Sequence, residues 1–305
     1  SPAKGRIVEG VLCLHVDDLY CSGNDNFKRR VLDKIKKDFE VGHEDLNDLE
    51  FTGQRVCWSM KNPQAPHIEV AQEKAISDLT EISFDGSLAD SLACTAYMHT
   101  EFRSVLRQIN WLQSRTQFSS CYMFSRCASA SAAPTIADVR EINKLVRTIR
   151  AQPVKLRLWP LKGPCRLIGY PDASFRNDKD GASQRGECVF LAEPRSKTST
   201  SSRGSLTEFE SKKITRSTPS TTVAELYAFI KCYGACQFMR GLWCDVSGEI
   251  APVHMRTDAK NLVTTASTTH LPEQKETIHQ IQVLRRESCS GNIEDLAHVT
   301  TEDCL

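Results

Sequence analysis

The sequence predicts a chain in two parts: an α+β first half that is largely helical toward its end, and an α/β second half. Three observations carry this. Apolar residues recur at helical spacing over 101–117 and 135–150. Beyond Ala151–Pro153 the pattern changes to short alternating strands. The second half then runs strand, strand, strand, helix, strand, helix, helix, strand, which is an α/β order. A chain of 305 residues is long enough for two domains.

Taken in order, "LHVDDLY" (14–20) sits in an apolar, β-leaning run of Val11, Leu12, Leu14, Val16 and Leu19. That run reads as a strand or hairpin, in which paired carboxylates are out of place unless a turn or a cation uses them. "NDNFKRRVLDKIKKDFEV" (24–41) spaces Val31, Leu32, Ile35 and Phe39 as one helix face behind an Asn/Asp start. "LEFTGQRVCWSM" and "PHIEVAQ" alternate as short strands. "EFRSVLRQINWLQSRTQ" aligns Phe102, Val105, Leu106, Ile109 and Leu112, and "TIADVREINKLVRTIR" aligns Ile136, Val139, Ile142, Val146 and Ile149 behind Thr135 as N-cap. "SRCASASAAP" between them reads as a connector. Further on, "VKLRLWPL", "CRLIGYPDASF" and "GECVFLAEP" read as strands, and Arg195–Ser217 as a polar loop. Residues 221–243 form a long helix, "VHMRTD" a strand, "AKNLVTTAS" and "TIHQIQVLRRESCSG" helices, and "IEDLAHV" a last strand.

Forty per cent hydrophobic and 25% charged residues suit a packed soluble fold. No apolar run approaches the roughly eighteen residues of a spanning helix, so no membrane partner is expected. The opening "SPAKGRIVEG" has neither an initiator Met nor a signal-peptide core and reads as the interior of a longer polypeptide. Thirteen cysteines without a Cys-x-x-Cys pair suit buried thiols in a reducing compartment. Cys232, Cys236 and Cys244 with His254 read as small core residues ahead of a zinc site. The net charge of +1 gives no global signal for nucleic acid. Between Arg140 and Arg166, however, eight basic residues face Glu141 alone, a field that can hold phosphates or simply a solvated basic face.

Three acids stand at element ends: Asp172 after "CRLIGY", Glu225 in the first turn of the long helix and Asp258 closing "VHMR". Each has a structural reading, as turn residue, as capping-box partner of Thr222 and as helix cap respectively. Together they sit where an α/β sheet gathers a site, and several acids at one edge repel unless cations lie among them. Oxygen ligands of this kind suit Mg²⁺ or Mn²⁺, and two such ions clamp the attacking and leaving oxygens of an in-line phosphoryl displacement.

In these residues the chain resembles the C-terminal part of a copia-type retrotransposon polyprotein, the end of reverse transcriptase followed by ribonuclease H. "LHVDDLY" resembles the polymerase Asp-Asp motif, with His15 where the family has Tyr. "LEFTGQRV" is similar to its "FLG" segment and "EFRSVLRQINWLQSRT" to its "YRSLIGSLLYLATRT"-like helix. "IGYPDASFRND", "TPSTTVAELYAF" and "MRTDAKNLV" resemble "GYSDADWAGD", "SSTEAEYVAL" and the "CDNQSAI" stretch, and "LAHVTTEDCL" the run before the nuclease's closing Ala-Asp.

The resemblance implies the end of a palm over 1–60, a helical thumb or connection over 61–152 and a ribonuclease H-like mixed-sheet domain over 153–305. It implies Asp17 and Asp18 as polymerase metal acids, and Asp172, Glu225 and Asp258 as nuclease metal ligands for Mg²⁺ or Mn²⁺. Lys212, Lys213 and Arg216 are then candidate phosphate contacts, or solvated loop charge. Implied partners are an RNA–DNA hybrid, template-primer nucleic acid and the rest of the Pol polyprotein. The implied setting is intracellular, in a cytoplasmic virus-like particle or the nucleus. No Asp precedes Asp17, so this chain alone is not expected to polymerise DNA. By register the nuclease's fourth carboxylate falls just after Leu305, and Asp303 reads as a surface acid. The rival expectation is an inactive or host-retained remnant that only binds nucleic acid.

Overall fold

The computed structural model describes residues 8–177, 181–194, 202–268 and 277–300. Asp303, and part of the stretch from Arg195, lie outside them.

The chain opens with an antiparallel hairpin of β1 (Gly10–His15) and β2 (Asp18–Gly23). Because His15 pairs with Asp18, Val16 and Asp17 are its two-residue turn. A tight turn of this length needs left-handed backbone, and Val16 takes φ +52°, a conformation that β-branched residues disfavour. The predicted helix follows as α1 (Asp25–Phe27), a π-turn over Lys28–Leu32 and α2 (Asp33–Asp38). Asn24 caps it, its side-chain oxygen accepting the Phe27 N–H at 2.9 Å. Phe27 lies over Gly10 and Gly23, where a Cβ would fall 2.3 and 2.6 Å from its ring, so glycine there follows from close approach. Leu14 and Val16 are 69% and 80% exposed, and Phe39 lies beyond the helix and exposed.

Strands β3 (Asp48–Phe51) and β4 (Gln54–Ser59) form a second hairpin, turning through Thr52 and Gly53, both at positive φ. Strand β5 (His67–Ala71) extends the sheet, followed by the short α3 (Glu73–Ser77). Helices α4 (Ala96–Gln113), α5 (Cys121–Ser129) and α6 (Ile136–Ala151) build the first core. The two predicted apolar stripes meet there, every residue of both buried. Thr135 caps α6 in a capping box whose Asp138 carboxylate accepts the Thr135 N–H at 2.8 Å. Buried Asn143 bonds both the N–H and the C=O of Ile82, tying α6 to a loop 61 residues upstream. The small-residue connector is partly helical: α5 runs through Ser129, alanine and serine fitting a helix packed closely on its neighbours.

The basic field expected between Arg140 and Arg166 is partly neutralised. Arg140 pairs with Asp90, Arg147 with Glu81, and Lys155 with Glu69 and Glu73. Those acids come from distant segments that local sequence does not reveal.

Two strand assignments change. Strand β6 (Leu156–Leu158), read above as the first of the second half, pairs antiparallel with β5 and completes the sheet β3-β4-β5-β6. The five-stranded sheet begins instead at β7 (Arg166–Ser174) and continues through β8 (Gln184–Ala192). Its third strand is β9 (Gly204–Lys213), within the stretch read as a polar loop. As an edge strand, β9 carries polar residues on both faces and draws its stability from the ladder to β8 and from the ion pairs of Arg185 and Lys212 with Glu210. It therefore lacks the apolar alternation that marks a strand.

Helix α7 (Thr221–Ser247) crosses this sheet and ends at Gly248, which takes φ +75° as C-cap. Strand β10 (Val253–Thr257), α8 (Lys260–Ser267), α9 (Ile278–Cys289) and β11 (Asp295–His298) follow. Strand order is β11-β10-β7-β8-β9, with β7, β8 and β9 antiparallel and β10 parallel to both β7 and β11. The mixed-sheet α/β unit expected of the second half is thus present. Its core joins Leu226, Phe229, Cys232 and Cys236 of α7 to Leu167, Val189, Val253 and Met255. A Cβ on Gly169 would lie 2.8–2.9 Å from the sulfurs of Cys236, Cys232 and Met255, so α7 can approach β7 only over a glycine. Cys232 and Cys236 are core residues, as read, and every cysteine among the described residues is a free thiol. Among those residues, no helix is long and apolar enough to cross a membrane.

Candidate active site

The parallel pairing of β10 with β7 sets the site. Met255 pairs with Gly169. Three residues further along both strands, Asp258 just beyond β10 and Asp172 near the end of β7 come alongside. The entrance of α7 lies over the same end of the sheet and brings Glu225 to them. Each of Asp172, Glu225 and Asp258 offers one carboxylate oxygen, and these atoms all lie within 4.8 Å of one another. Among the described residues no other group of three His, Cys, Asp or Glu side chains meets this way.

None of the three structural readings accounts for these acids. Asp172 lies inside β7, opposite Gly186, and not in a turn. Glu225 is in the second turn of α7: the N-cap is Ser220, which accepts the Val223 N–H at 3.4 Å, so no capping box joins Glu225 to Thr222. The cap position of α8 is Ala259, one residue past Asp258, and the helix has no side-chain cap bond. Ser220, Thr221 and Thr222 are three consecutive residues able to cap, so the start of α7 has no unique local signal.

The electrostatics are those of a site short of positive charge. Burial, then the charges of Asp172 and Asp258, push the Glu225 carboxyl up to about 8, against a hydrogen bond from the Ala173 N–H. Partial burial and the charge of Asp258 raise Asp172 as well, although it is the most open of the three. Glu225 is 8% exposed, and its buried Oε2 has no hydrogen-bond partner. A buried carboxylate oxygen without a donor, aimed among like charges, is costly unless a cation meets it. Hard oxygen donors from three carboxylates fit Mg²⁺ or Mn²⁺ and do not fit a soft metal. The residues present therefore suit the ion the sequence implied.

The remaining candidates fall elsewhere. Asp17 and Asp18 are exposed at the hairpin tip and belong to no cluster of ligating side chains among the described residues. Lys212 pairs with Glu210. Lys213 and Arg216 share a cavity of about 300 Å³ with Arg176, Ser183 and Thr218, between the β7–β8 and β9–α7 connections. Arg216 also lies over the Tyr227 ring, 5.8 Å from its centroid. Arg176 and Ser183 went unnoticed in the sequence. They sit in polar connections whose proximity to the site arises only from the strand order.

Fold and site together define an α/β domain with a carboxylate centre suited to a hard divalent cation. Solved structures similar to this chain include RNase H1 from the halophilic archaeon Halobacterium salinarum NRC-1, at 17% identity over 46% of this chain and 89% of that one, TM-score 0.32. Another is LC11-RNase H1 in complex with an RNA/DNA hybrid, at 16% identity over 45% and 88%, TM-score 0.33. A third is the protease-reverse transcriptase of prototype foamy virus, at 17% identity over 46% of this chain and 18% of that one, TM-score 0.26. No protein-family model matches the sequence, and no curated protein matches it.

Proposed function

We propose that residues from about 153 onward form a ribonuclease H-type nuclease that hydrolyses the RNA strand of RNA–DNA hybrids, as part of a copia-type retrotransposon reverse transcriptase. The observation that carries this reading is the convergence of Asp172, Glu225 and Asp258 at one end of the sheet, with Glu225 Oε2 buried and unpartnered. These three side chains would hold Mg²⁺ or Mn²⁺. When bound, such an ion acts as Lewis acid on the scissile phosphate and lowers the pKa of water to supply the nucleophile. The protein's part is to fix three oxygens on two strands and a helix, and to bury one of them so that the site stays short of positive charge until loaded. Lys213 and Arg216 would steady the hybrid's backbone beside the site, and selection of RNA would come from its 2′-hydroxyls in the wide minor groove.

The N-terminal part is read as the end of a palm and a thumb or connection. With Asp17 and Asp18 exposed and no third carboxylate beside them among the described residues, this chain is not expected to extend a primer. The test is cleavage of an end-labelled RNA–DNA hybrid in Mg²⁺ by the full chain, with Asp172→Asn alongside. Cleavage by the parent that is lost in the variant supports the reading. A parent that binds hybrid without cutting it returns the chain to the class of binding remnants.

A further inference from the structure

Two of the three carboxylates stand close to polar connections of the second half. Asp172 is on β7, four residues before Arg176, and Glu225 is on α7, behind the seven-residue link 214–220. Within that link only Ile214 and Thr218 are buried, and both are held by one residue, Ser183. The Ile214 N–H donates to the Ser183 carbonyl at 2.8 Å, and the Ser183 and Thr218 hydroxyls are 2.7 Å apart in a buried contact. Ser183 Oγ also accepts the Arg176 N–H at 3.1 Å. Arg176 sits at φ +50°, a backbone conformation costly for a residue with a Cβ, which persists only where its surroundings fix it. Ser183 itself is 1% exposed and stands at the threshold of β8.

We infer that Ser183 and Thr218 are positioning residues for the carboxylate centre. Ser183 Oγ, holding the Arg176 N–H just past β7 and the Thr218 hydroxyl before α7, ties the end of β7 to the entrance of α7 and so sets the distance between Asp172 and Glu225. Neither hydroxyl is placed among the ligating atoms, so the pair acts through the backbone it joins. Carboxylates that ligate a cation must be held to a fraction of an ångström, and partners that orient ligands typically govern metal affinity by ten- to a hundredfold. The inference rests on the metal-centre reading above and adds to it the residues that hold the centre's shape.

The test uses the full chain and Mn²⁺ itself, with free Mn²⁺ followed by electron paramagnetic resonance, in parallel with hybrid cleavage at graded Mg²⁺. Thr218→Val keeps the shape and removes the hydroxyl, and Thr218→Ser keeps the hydroxyl. Expected for Thr218→Val is a Mn²⁺ dissociation constant raised about tenfold. The Mg²⁺ giving half-maximal cleavage should rise by the same factor, with the rate at saturating Mg²⁺ within about twofold of the parent. Thr218→Ser should restore both. A Thr218→Val that melts earlier but binds Mn²⁺ as the parent does overturns the inference, because the pair would then be serving stability alone. A Thr218→Ser as weak as Thr218→Val overturns it too. Should Thr218→Val not fold, Ser183→Ala is read against the same criteria. A parent that binds Mn²⁺ without cleaving sinks the hydrolase reading while the Mn²⁺ comparison still decides this one. A parent that binds no Mn²⁺ overturns both.

Discussion

Replacing Glu225 by glutamine should make the metal-free protein more stable and the enzyme inactive. The side chain keeps its length, and its carbonyl oxygen can still accept the Ala173 N–H, so the change removes charge and little else. With ligating oxygens within 4.8 Å and an effective dielectric constant near 20, one ionised pair repels by about 3.5 kcal/mol. Glu225 faces two such neighbours, and partial protonation relieves part of the repulsion. A net gain of about 2 kcal/mol at pH 8 in chelator is therefore expected, or about 5 °C in Tm. The pH dependence follows from the carboxyl being raised from 4.5 to about 8. The folded form holds the proton that the unfolded form releases. Stability from this group is thus full below about pH 4.5 and is lost as pH rises through 8. Glu225→Gln removes that slope, so the two proteins should converge in acid and diverge in alkali. Thermal melts in chelator from pH 5 to 8.5, beside hybrid cleavage in Mg²⁺, provide the assay, and cleavage should fall at least about a hundredfold. A variant less stable than the parent at pH 8 would refute the reasoning, since the carboxylate would then be making a favourable interaction without any cation.

Other outcomes follow from the same geometry. Gly169→Ala places a methyl against the sulfurs of Cys236, Cys232 and Met255, and should cost about 2 kcal/mol by urea denaturation; an unchanged midpoint would show that α7 can lift off β7 freely. Asn143→Ala leaves the Ile82 N–H and C=O without their buried partner, and should lower stability by about 2–3 kcal/mol in the same assay. Asp17→Asn with Asp18→Asn should leave hybrid cleavage within about twofold of the parent, because these exposed acids lie outside the carboxylate cluster; a tenfold loss would place them at the working centre.

What could be read in the sequence was what has a local period or a local end signal. The stripes from Phe102 to Leu112 and from Ile136 to Ile149 announced their helices because one buried face repeats every 3.6 residues. Asp172, Glu225 and Asp258 drew notice because each closed or opened an apolar element, the place where sheet topology brings distant residues together. Strand β9 stayed hidden since backbone bonding, which has no side-chain signature, holds it. The partner of β6 was equally silent: Ile68 and Leu158 meet across 90 positions, and nothing near either one names the other. Ser183 was invisible for a third reason. A serine before a strand is ordinary, and its importance rests on two distant segments, at Arg176 and at 214–218, that meet on it only after folding.

The pairing of β6 with β5 bears on how this molecule can be taken apart. A truncation placed at 153, where composition suggests a seam, removes a strand from the N-terminal half and leaves bare the margin of β5 at Ile68–Val70 that faced β6. Bare strand margins recruit other chains. The released C-terminal piece keeps β6 beside β9, where the Trp159 N–H donates to Ser205 at 2.9 Å, but loses the β5 strand that β6 pairs with. Expression of either half by itself should therefore favour self-association, and a cut after Leu161 keeps both margins of the first sheet as the intact polypeptide has them.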